Sequence, residues 1–433
     1  MRNTLIASLI ATALMATNAH ALDLMQTYQQ ALANDPVYTS ARYALSANNE
    51  ASVQGRAALL PSVGFGGNYS RSGQSWQTIT NNYSLQLTQP LFRPAYWQQY
   101  QESKLSVAAG EVQFAQAQQD LILRVSQAYF DILTAQDVLA SLQAQKSAIA
   151  EQLASAKRNF EVGTATITDT NEAQASYDLV IAQEIAASNN LEVARNALQQ
   201  IIGKAPAPLA TLRPGVKLSA PEPAAIEAWV TSAEQQNFGV LGQEITLDIA
   251  KRDIKKSRAG HLPTLDLVVS RAHSDVSGSD IPFYNISQMT NSVGVQWNIP
   301  LYSGGAVNSS VRQAVALEDK ARSDLENARR TAVLNAKQAY LGVSNGLAQV
   351  KAYEAAEISS QSSLDSNRLG YQVGVRINID VLNAQQQLYS TRRDLAKARY
   401  DTLMNGLKLK SAAGALKEED LQQINALLVP VPY

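Results

Sequence analysis

Apolar and polar residues alternate along four short stretches of the chain, two in each half of the sequence. Val63, Phe65 and Tyr69, for example, alternate with polar or small residues at 62, 64, 68 and 70, which are serine, glycine, asparagine and serine. A period of two predicts β-strands with one apolar face, either half-buried in a soluble sheet or facing lipid in a barrel wall. Polar segments at about 72–82 and 272–291 are predicted to connect the strands of each pair. The predicted strands cover about 61–71, 83–91, 263–271 and 292–301.

The longest remaining segments carry an apolar residue at every seventh position, with a second apolar ladder four residues on. From Tyr96 to Phe160 there is no proline, and the single glycine is Gly110. This spacing predicts a coiled-coil helix, which at ~1.5 Å per residue would be nearly ~100 Å long. The predicted helices are long ones at about 96–160 and 306–368 and shorter return helices at about 170–202 and 381–413.

The two halves of the chain are versions of one repeat. Residues 159–174 read NFEVGTATITDTNEAQ and residues 370–385 read GYQVGVRINIDVLNAQ, so Val-Gly, Asp and Ala-Gln recur at an offset of 211. The segment between the halves is rich in proline and predicts an irregular connector. The predicted organisation is a first repeat at 22–203, a connector at 204–225, a second repeat at 226–414 and a C-terminal segment at 415–433.

The first residues have the pattern of an export signal. Arg2 precedes an apolar run at 5–16, and Ala19-His20-Ala21 has small residues at the outer positions of a cleavage site. The apolar run is shorter than the ~20 residues that span a bilayer, which argues against an uncleaved anchor. We therefore predict a signal peptide at 1–21 and an exported chain without a later transmembrane helix.

Composition restricts the chemistry that the chain can perform. Charged residues make up 17% of it and the formal net charge is −1, so there is no electrostatic basis for binding nucleic acid. The absence of cysteine excludes disulfides and thiolate metal sites. A G-x-S-x-G match at 342–346 lies inside a predicted helix, not at the strand-to-helix turn that a nucleophile needs. We predict no enzyme activity, no catalytic residue, no cofactor and no metal.

Four strands are too few to close a barrel in one chain. Barrels formed by single chains begin at about eight strands, and an open edge in hydrocarbon leaves backbone groups unpaired. An exported chain with four amphipathic strands and long helices therefore predicts an oligomeric barrel continued by a helical tube. The alternative is a periplasmic coiled-coil adaptor or a structural protein of an envelope transport complex, which would normally show a single helical hairpin.

Three segments resemble the TolC family of outer-membrane channel-tunnels: GHLPTLDL at 260–267, IPLYSGGAVNS at 299–309 and GYQVGVRINIDVL at 370–382. The repeat plan and the signal peptide agree with this resemblance. It implies a mainly α fold with a β-barrel part, in which a homotrimer builds a twelve-stranded barrel from four strands per chain. A coiled-coil α-helical tunnel would project into the periplasm, ringed by an equatorial region made of the connector and the C-terminal segment.

The function implied by the resemblance is a passive exit duct in the cell outer membrane for drug efflux or type I protein secretion. Untwisting of a helix pair would open it at the periplasmic end. Its partners would be a periplasmic adaptor (membrane fusion) protein, an inner-membrane pump or ABC transporter, and outer-membrane lipid.

The resemblance also places a gate at the two Val-Gly turns. The gate residues that it implies are Thr168, Asp169, Tyr371, Arg376, Asp380 and Asn383. The best-known members have a second aspartate where this chain has Asn383, which halves the expected acidic ring and argues against strong polyvalent cation binding. The residues implied to dock the adaptor are Val162, Gly163, Thr164, Val373, Gly374 and Val375.

The chemistry of these residue types is consistent with a gate. An arginine beside a turn binds a carboxylate through two parallel hydrogen bonds, which lysine cannot reproduce. Exposed pairs contribute only ~0–1 kcal/mol, but threefold repetition at a narrow aperture would hold it closed and leave it able to open. Asp169 and Asp380 also have a structural interpretation, in which they start the return helices and Glu172 completes a capping box with Asp169. The two roles are compatible.

Overall fold

A computed structural model of the protein describes residues 21–73, 77–278 and 285–430. The predicted signal peptide, 1–21, lies outside these ranges except for its last residue. The chain divides into two compact units. The first unit comprises Met1–Ser40, Ala117–Asn237 and Thr331–Tyr433, and the second comprises Ala41–Gln116 and Phe238–Arg330.

Helices make up most of the described chain, and two of them are exceptionally long, with 68 and 67 residues. Within the described ranges, none of the helices combines the length and the apolar character needed to cross a bilayer. In chain order the elements are α1 (Leu24–Asn34), α2 (Pro36–Ala57), β1 (Ser62–Ser72), β2 (Thr78–Phe92), α3 (Pro94–Glu161), α4 (Ile167–Ile202), β3 (Thr211–Leu212), α5 (Ile226–Gln236), α6 (Phe238–Arg258), a 3-10 turn (Ala259–His261), β4 (Thr264–Gly278), β5 (Asn285–Asn298), α7 (Ala306–Gln372), α8 (Asn378–Ala412), α9 (Glu418–Asn425) and β6 (Leu428–Val429).

Four strands of the second unit form one antiparallel sheet in the order β1-β2-β4-β5. Val63 pairs with Leu87, Leu87 with Val269, and Val269 with Val293, so the row is apolar across all four strands. Because successive side chains of a strand point to opposite faces, such rows alternate with rows made mostly of serine, glycine, threonine and glutamine, which Val268 interrupts. We call the face that carries Val63 and its row the apolar face, and the opposite one the polar face.

The strands are longer than the alternation predicts. β2 begins at Thr78, β4 runs to Gly278 and β5 begins at Asn285, so most of the predicted connections at 72–82 and 272–291 are strand. The prediction was wrong there because the ladder is held by backbone hydrogen bonds, which do not require an apolar face. Polar side chains at the far end of the sheet therefore hide the strand pattern without preventing the pairing.

The sequence patterns predicted no helix at the positions of α1, α2, α5 and α6. In α2 the reason is visible, because Gly55 is its one buried residue among 22. This helix approaches α3 through small residues: a Cβ atom added to Gly110 would lie 2.8 Å from Asn48 Nδ2, and one added to Gly55 would overlap Ser103. Close backbone approach of this kind leaves no stripe of large apolar residues for a periodicity argument to detect.

The hydrophobic core of the first unit gathers residues of α1, α3, α4, α8 and α9. Tyr129 of α3 is fully buried, and its hydroxyl donates to the Ala210 carbonyl at 2.7 Å, which ties the connector to this helix. Phe130 stacks on Tyr400 of α8 with ring centroids 5.8 Å apart, and the Tyr400 hydroxyl donates to Asp137 Oδ2 at 2.8 Å. Burial raises the pKa of both Tyr400 and Asp137. The connector and the C-terminal segment meet where β3 pairs with β6.

An ion pair between a half-buried arginine and a buried aspartate stabilises the connection from the sheet to α3. Arg93, between β2 and α3, donates from Nε to Asp266 Oδ1 at 2.8 Å and from Nη2 to Oδ2 at 2.5 Å. Its Nη1 donates to the Tyr96 hydroxyl at 3.1 Å. Asp266 is 6% exposed, so the guanidinium takes the place of water around a nearly buried carboxylate. Removing one partner of such a pair costs ~3–5 kcal/mol, because the other charge stays buried without compensation.

We expect Arg93→Ala to lower the free energy of unfolding by about 3 kcal/mol. Thermal unfolding of the purified protein in detergent, followed by circular dichroism, measures the change. Arg330→Ala is the matched control, because Arg330 pairs with Glu326 on the helix surface at side-chain exposures of 76% and 54%. It should change stability by less than ~0.5 kcal/mol. If both variants lost the same free energy of unfolding, the Arg93–Asp266 pair would stabilise the fold no more than an exposed ion pair does.

Two glycines near the end of the chain should respond to alanine in opposite directions. Gly414 has φ +71° and its added Cβ would overlap the Gln236 carbonyl, so Gly414→Ala should destabilise the first unit by about 2 kcal/mol or more. Gly406 lies inside α8 with no atom within 4 Å of an added Cβ, so Gly406→Ala should stabilise by ~0.5–1 kcal/mol. Denaturant unfolding of both variants tests the pair, and a stabilising Gly414→Ala would contradict the assigned strain.

Candidate functional site

Both Val-Gly turns have the same backbone conformation. In the first turn, which joins α3 to α4, the Thr164 amide donates to the Asn159 carbonyl at 2.8 Å. In the second turn, between α7 and α8, the Val375 amide donates to the Gly370 carbonyl at 2.9 Å, the equivalent bond at an offset of 211. The central glycines have φ of +77° and +79°, a left-handed conformation that L side chains rarely adopt. The two turns are thus one structure built twice.

The side chains around the turns differ, and the difference centres on Gly370. A Cβ atom added there would lie 2.6 Å from Arg376 Cγ, so the missing side chain leaves the space that the arginine stem occupies. The first turn has Asn159 and Ala165 at the two equivalent positions. Arg376 Nη1 lies 3.7 Å from Asp380 Oδ2, and the arginine is 59% exposed. At this distance the contact is a weak ion pair, which leaves the guanidinium available to other groups.

Asp169 completes a capping box at the start of α4. Its Oδ2 accepts from the Thr166 amide at 2.9 Å, and its own amide donates to Thr166 Oγ1 at 3.2 Å. The expected pairing of Asp169 with Glu172 is wrong by one turn: Asp169 is the third residue of the box and Thr166 is the cap. Asp380 has the same position in α8, but Ile377 replaces the threonine and its amide lies 3.5 Å from Asp380 Oδ2. The second carboxylate is therefore held less firmly than the first.

Tyr371 connects the second hairpin to the first. Its ring packs against the buried cluster formed by Leu364 of α7 with Val381 and Leu388 of α8. Its hydroxyl accepts a hydrogen bond of 3.4 Å from Asn159 Nδ2 at the end of α3. The contact is long and joins two helices that belong to different repeats.

A residue that the sequence analysis did not select, Asn378, makes the strongest link between the hairpins. It is 0% exposed, its Oδ1 accepts from Gln152 Nε2 of α3 at 2.6 Å, and its Nδ2 donates to the Asp169 carbonyl of α4 at 2.9 Å. The equivalent residue of the first repeat is Ile167, which is 53% exposed. One sequence signal could have identified Asn378: the first repeat has the apolar Ile167 at the position where the second repeat has this polar residue.

Asn378 belongs to a polar seam between α3 and α8, which we define by three bonded pairs. Gln152 meets Asn378, Gln145 Oε1 accepts from Arg393 Nη1 at 3.1 Å, and Ser141 Oγ donates to the Tyr389 carbonyl at 3.3 Å. Burial lowers the pKa of Arg393. The contact between α3 and α8 in this region is thus made in part by hydrogen bonds and not by large apolar side chains alone.

Other candidate gate and docking residues take no part in the described hydrogen bonds between the two hairpins. Thr168 and Asn383 are exposed, and within the described ranges neither makes a hydrogen bond to another candidate gate residue. The same part of the chain contains no cluster of three or more acidic or histidine side chains placed to hold a metal ion. The valines of the turns project into solvent, with Val162 73%, Val373 64% and Val375 76% exposed. Gly163 and Thr164 follow Val162 on the first turn, Gly374 lies between Val373 and Val375 on the second, and all three are exposed.

Known proteins resemble this chain over nearly its whole length. The chain is 38% identical over 428 residues to the outer membrane protein TolC of Escherichia coli strain K12, covering 95% of this chain and 86% of that protein. It is 33% identical over 452 residues to the proteases secretion protein PrtF of Dickeya chrysanthemi, covering 100% of this chain and 96% of that protein. These relatives confirm the resemblance drawn from the three sequence segments.

The fold agrees with the sequence relationships. The crystal structure of the outer membrane protein VceC from Vibrio cholerae matches with a TM-score of 0.78 at 16% identity, covering 90% of this chain and 96% of that chain. This likeness confirms the predicted mainly α fold with a β part. The family model described as "Outer membrane efflux protein" matches residues 27–204 and 229–415, one segment in each half of the chain. The chain therefore belongs to the outer membrane efflux protein family.

Proposed function

We propose that this protein is the outer-membrane channel of an efflux or type I secretion assembly, gated at its two helix turns. The observation that carries the proposal is the four-stranded sheet, which has one apolar and one polar face and two unpaired edges, β1 and β5. An apolar face suits lipid, and a polar face with few charges suits the wall of an aqueous passage. The relatives support both export roles, since one is named for protease secretion and the family for efflux.

The free edges require other copies of the chain. In hydrocarbon, each unpaired backbone group of an edge strand costs several kcal/mol, so β1 of one copy must pair with β5 of the next. A homotrimer would close a barrel of twelve strands around one passage, with outer-membrane lipid against the apolar face. The long helices would continue this passage into the periplasm, where the helix turns lie at its entrance.

The gate would act through the contacts between the hairpins of one subunit and through their counterparts between subunits. Within the subunit, Tyr371 meets Asn159 and Asn378 meets Gln152 and Asp169. Arg376 is weakly engaged with Asp380, so in a trimer its guanidinium is free to reach Thr168 or Asp169 of a neighbouring copy. Untwisting of α7 and α8 would break these bonds together and widen the entrance. Asn383 would face the same opening without contributing a charge.

The turns would also be the docking site for the partner that opens the gate. Exposed valines on both turns give each subunit two small apolar tips, Val162 on the first and Val373 with Val375 on the second. The hairpin of a periplasmic adaptor protein can cover such tips and connect the channel to an inner-membrane pump or ABC transporter. Because Gly163 and Gly374 give both turns the same backbone shape, the two tips would offer the adaptor one geometry with different side chains.

We expect Tyr371→Phe combined with Arg376→Ser to raise single-channel conductance in planar bilayers several-fold, because both substitutions remove gate contacts. Tyr177→Phe combined with Arg158→Ser is the matched control, since within the described ranges neither side chain takes part in an ion pair or a side-chain hydrogen bond. Its conductance should equal that of the wild-type protein. A double variant that conducts no better than this control would refute the gate, and a wild-type protein that forms no pore would refute the channel.

A second prediction concerns the bond between the hairpins. Asn378→Ile should leave Gln152 and the Asp169 carbonyl without partners and weaken the turn region by about 2–3 kcal/mol. Hydrogen–deuterium exchange of 152–170 should then become roughly 30- to 150-fold faster. Asn367→Ala is the control, because Asn367 is only half-buried and, within the described ranges, its amide bonds to Ser363 of its own helix and not to the other hairpin. Similar exchange rates of 152–170 in the two variants would show that Asn378 does not hold the two hairpins together.

A further inference from the structure

The charged residues of the four-stranded sheet are distributed unevenly between its faces. On the polar face, the described strand residues include one charged side chain, Asp266, which is neutralised by Arg93. A face that contacts lipid normally excludes charge, so charged groups on the apolar face need an explanation. The charged residues and the histidine on the apolar face are Arg71, Arg271, His273 and Asp275.

Arg271 is the member of this group that lies next to a fully apolar row. It lies on β4 between Leu85 of β2 and Asn291 of β5, and Leu85 in turn pairs with Phe65 of β1. The preceding row on this face, which contains Val269, is apolar on all four strands. The arginine therefore stands at the border where the apolar face becomes polar.

Among the residues that the structure describes, no carboxylate neutralises the Arg271 guanidinium. Across the described ranges it takes part in no ion pair, and its Nη2 donates to the sulfur of Met289 at 2.9 Å. A thioether is a weak acceptor and carries no charge. Asp275, the acidic residue of this face, lies instead beside His273, with 3.0 Å between Oδ2 and Nε2. Among the described residues of the apolar face, Arg71 at the end of β1 and Arg271 both lack a carboxylate partner, and of the two Arg271 is the one beside the apolar rows.

The position of Arg271 along the strand corresponds to a membrane boundary. It follows Leu265, the first residue of β4 on the apolar face, by six positions. A strand that rises ~3.4 Å per residue and is tilted by ~40° places the arginine ~16 Å above that leucine. The apolar band of a barrel is ~25 Å tall, and an arginine side chain extends several ångströms toward the nearer headgroups. The guanidinium therefore reaches the headgroup level farther from the helices.

We propose that Arg271 binds a phosphate of an outer-leaflet glycolipid headgroup, with His273 beside it and the acyl chains lying on Phe65, Leu85 and Val269. The proposal rests on the proposed function, because it requires the apolar face to contact the outer membrane. With the helices on the periplasmic side, the opposite boundary of the sheet faces the outer leaflet. The arginine fork matches phosphate oxygens in a bidentate geometry, which a lysine or a glutamine does not provide.

A lipid suits this surface better than free phosphate does. Free phosphate would gain one charged contact and would leave the exposed apolar residues beside it uncovered; Phe65 is 74% exposed and Leu85 48%. A phosphorylated lipid uses both features, since its acyl chains cover the apolar rows and its phosphate meets the arginine. The surface therefore has the complementary charge and the apolar area of one anionic lipid, arranged in the order that a bilayer imposes.

Native mass spectrometry of the purified full-length protein in detergent tests the site. The wild-type protein, Arg271→Gln and Arg271→Lys are incubated with bisphosphorylated lipid A, with the same lipid A after removal of its phosphates, or with inorganic phosphate. Arg330→Gln is the control for loss of an arginine elsewhere. We expect Arg271→Gln to retain about tenfold less bisphosphorylated lipid A than the wild type, and Arg271→Lys about threefold less.

Dephosphorylated lipid A should bind the wild type and Arg271→Gln equally, and Arg330→Gln should behave as the wild type. Equal retention of bisphosphorylated lipid A by the wild type and Arg271→Gln would overturn the proposal. Displacement of the lipid by inorganic phosphate at similar concentration would also overturn it, since the site would then be one for free phosphate. Arg271→Lys keeps the proposal testable if the glutamine variant does not fold. The proposed channel function has a separate test, the planar-bilayer measurement, and it fails if the wild-type protein forms no pore.

Discussion

An unpaired backbone group costs several kcal/mol in hydrocarbon, and this cost decides how the sheet of this protein is used. β1 and β5 end the sheet as strands of 11 and 14 residues, and the outward amides and carbonyls of alternate residues have no partner strand within the described chain. A soluble protein can leave such edges to water, but the apolar face excludes water from one side of the strands. The proposed trimer and the shared passage follow from this single requirement. The two repeats then need supply only two strands each.

Duplication explains both the likeness and the difference of the two helix turns. The backbone bonds around Gly163 and Gly374 coincide because both copies solve one problem, the reversal of a long helix. The side chains have diverged where the copies meet, and there Asn378 takes the place of an exposed isoleucine and becomes fully buried. A gate built in this way combines a rigid turn with a few polar contacts that break without disturbing the turn.

Much of the fold could be predicted from the sequence because its signals are local. The seven-residue ladder located α3 and α7, and strict alternation located the apolar part of each strand. The polar strand ends and α2 could not be found in this way, since backbone pairing and the close approach at Gly55 and Gly110 leave no hydrophobic period. Within the site, the capping role of Asp169 was foreseen but its partner Thr166 was not. The hydrogen bonds of Asn378 join helices that are far apart in sequence, so no local sequence pattern could predict them.

The space above Gly370 has a consequence for how the asymmetry of the repeats arose. Arginine at 376 requires a neighbour without a side chain, because even a methyl group at 370 would meet its stem. In the first repeat, replacing Ala165 by arginine alone would drive the new stem against Asn159. The two positions are therefore epistatic. The asymmetry of the two repeats therefore depends on both positions together, on the arginine at 376 and on the glycine at 370 that leaves space for its stem.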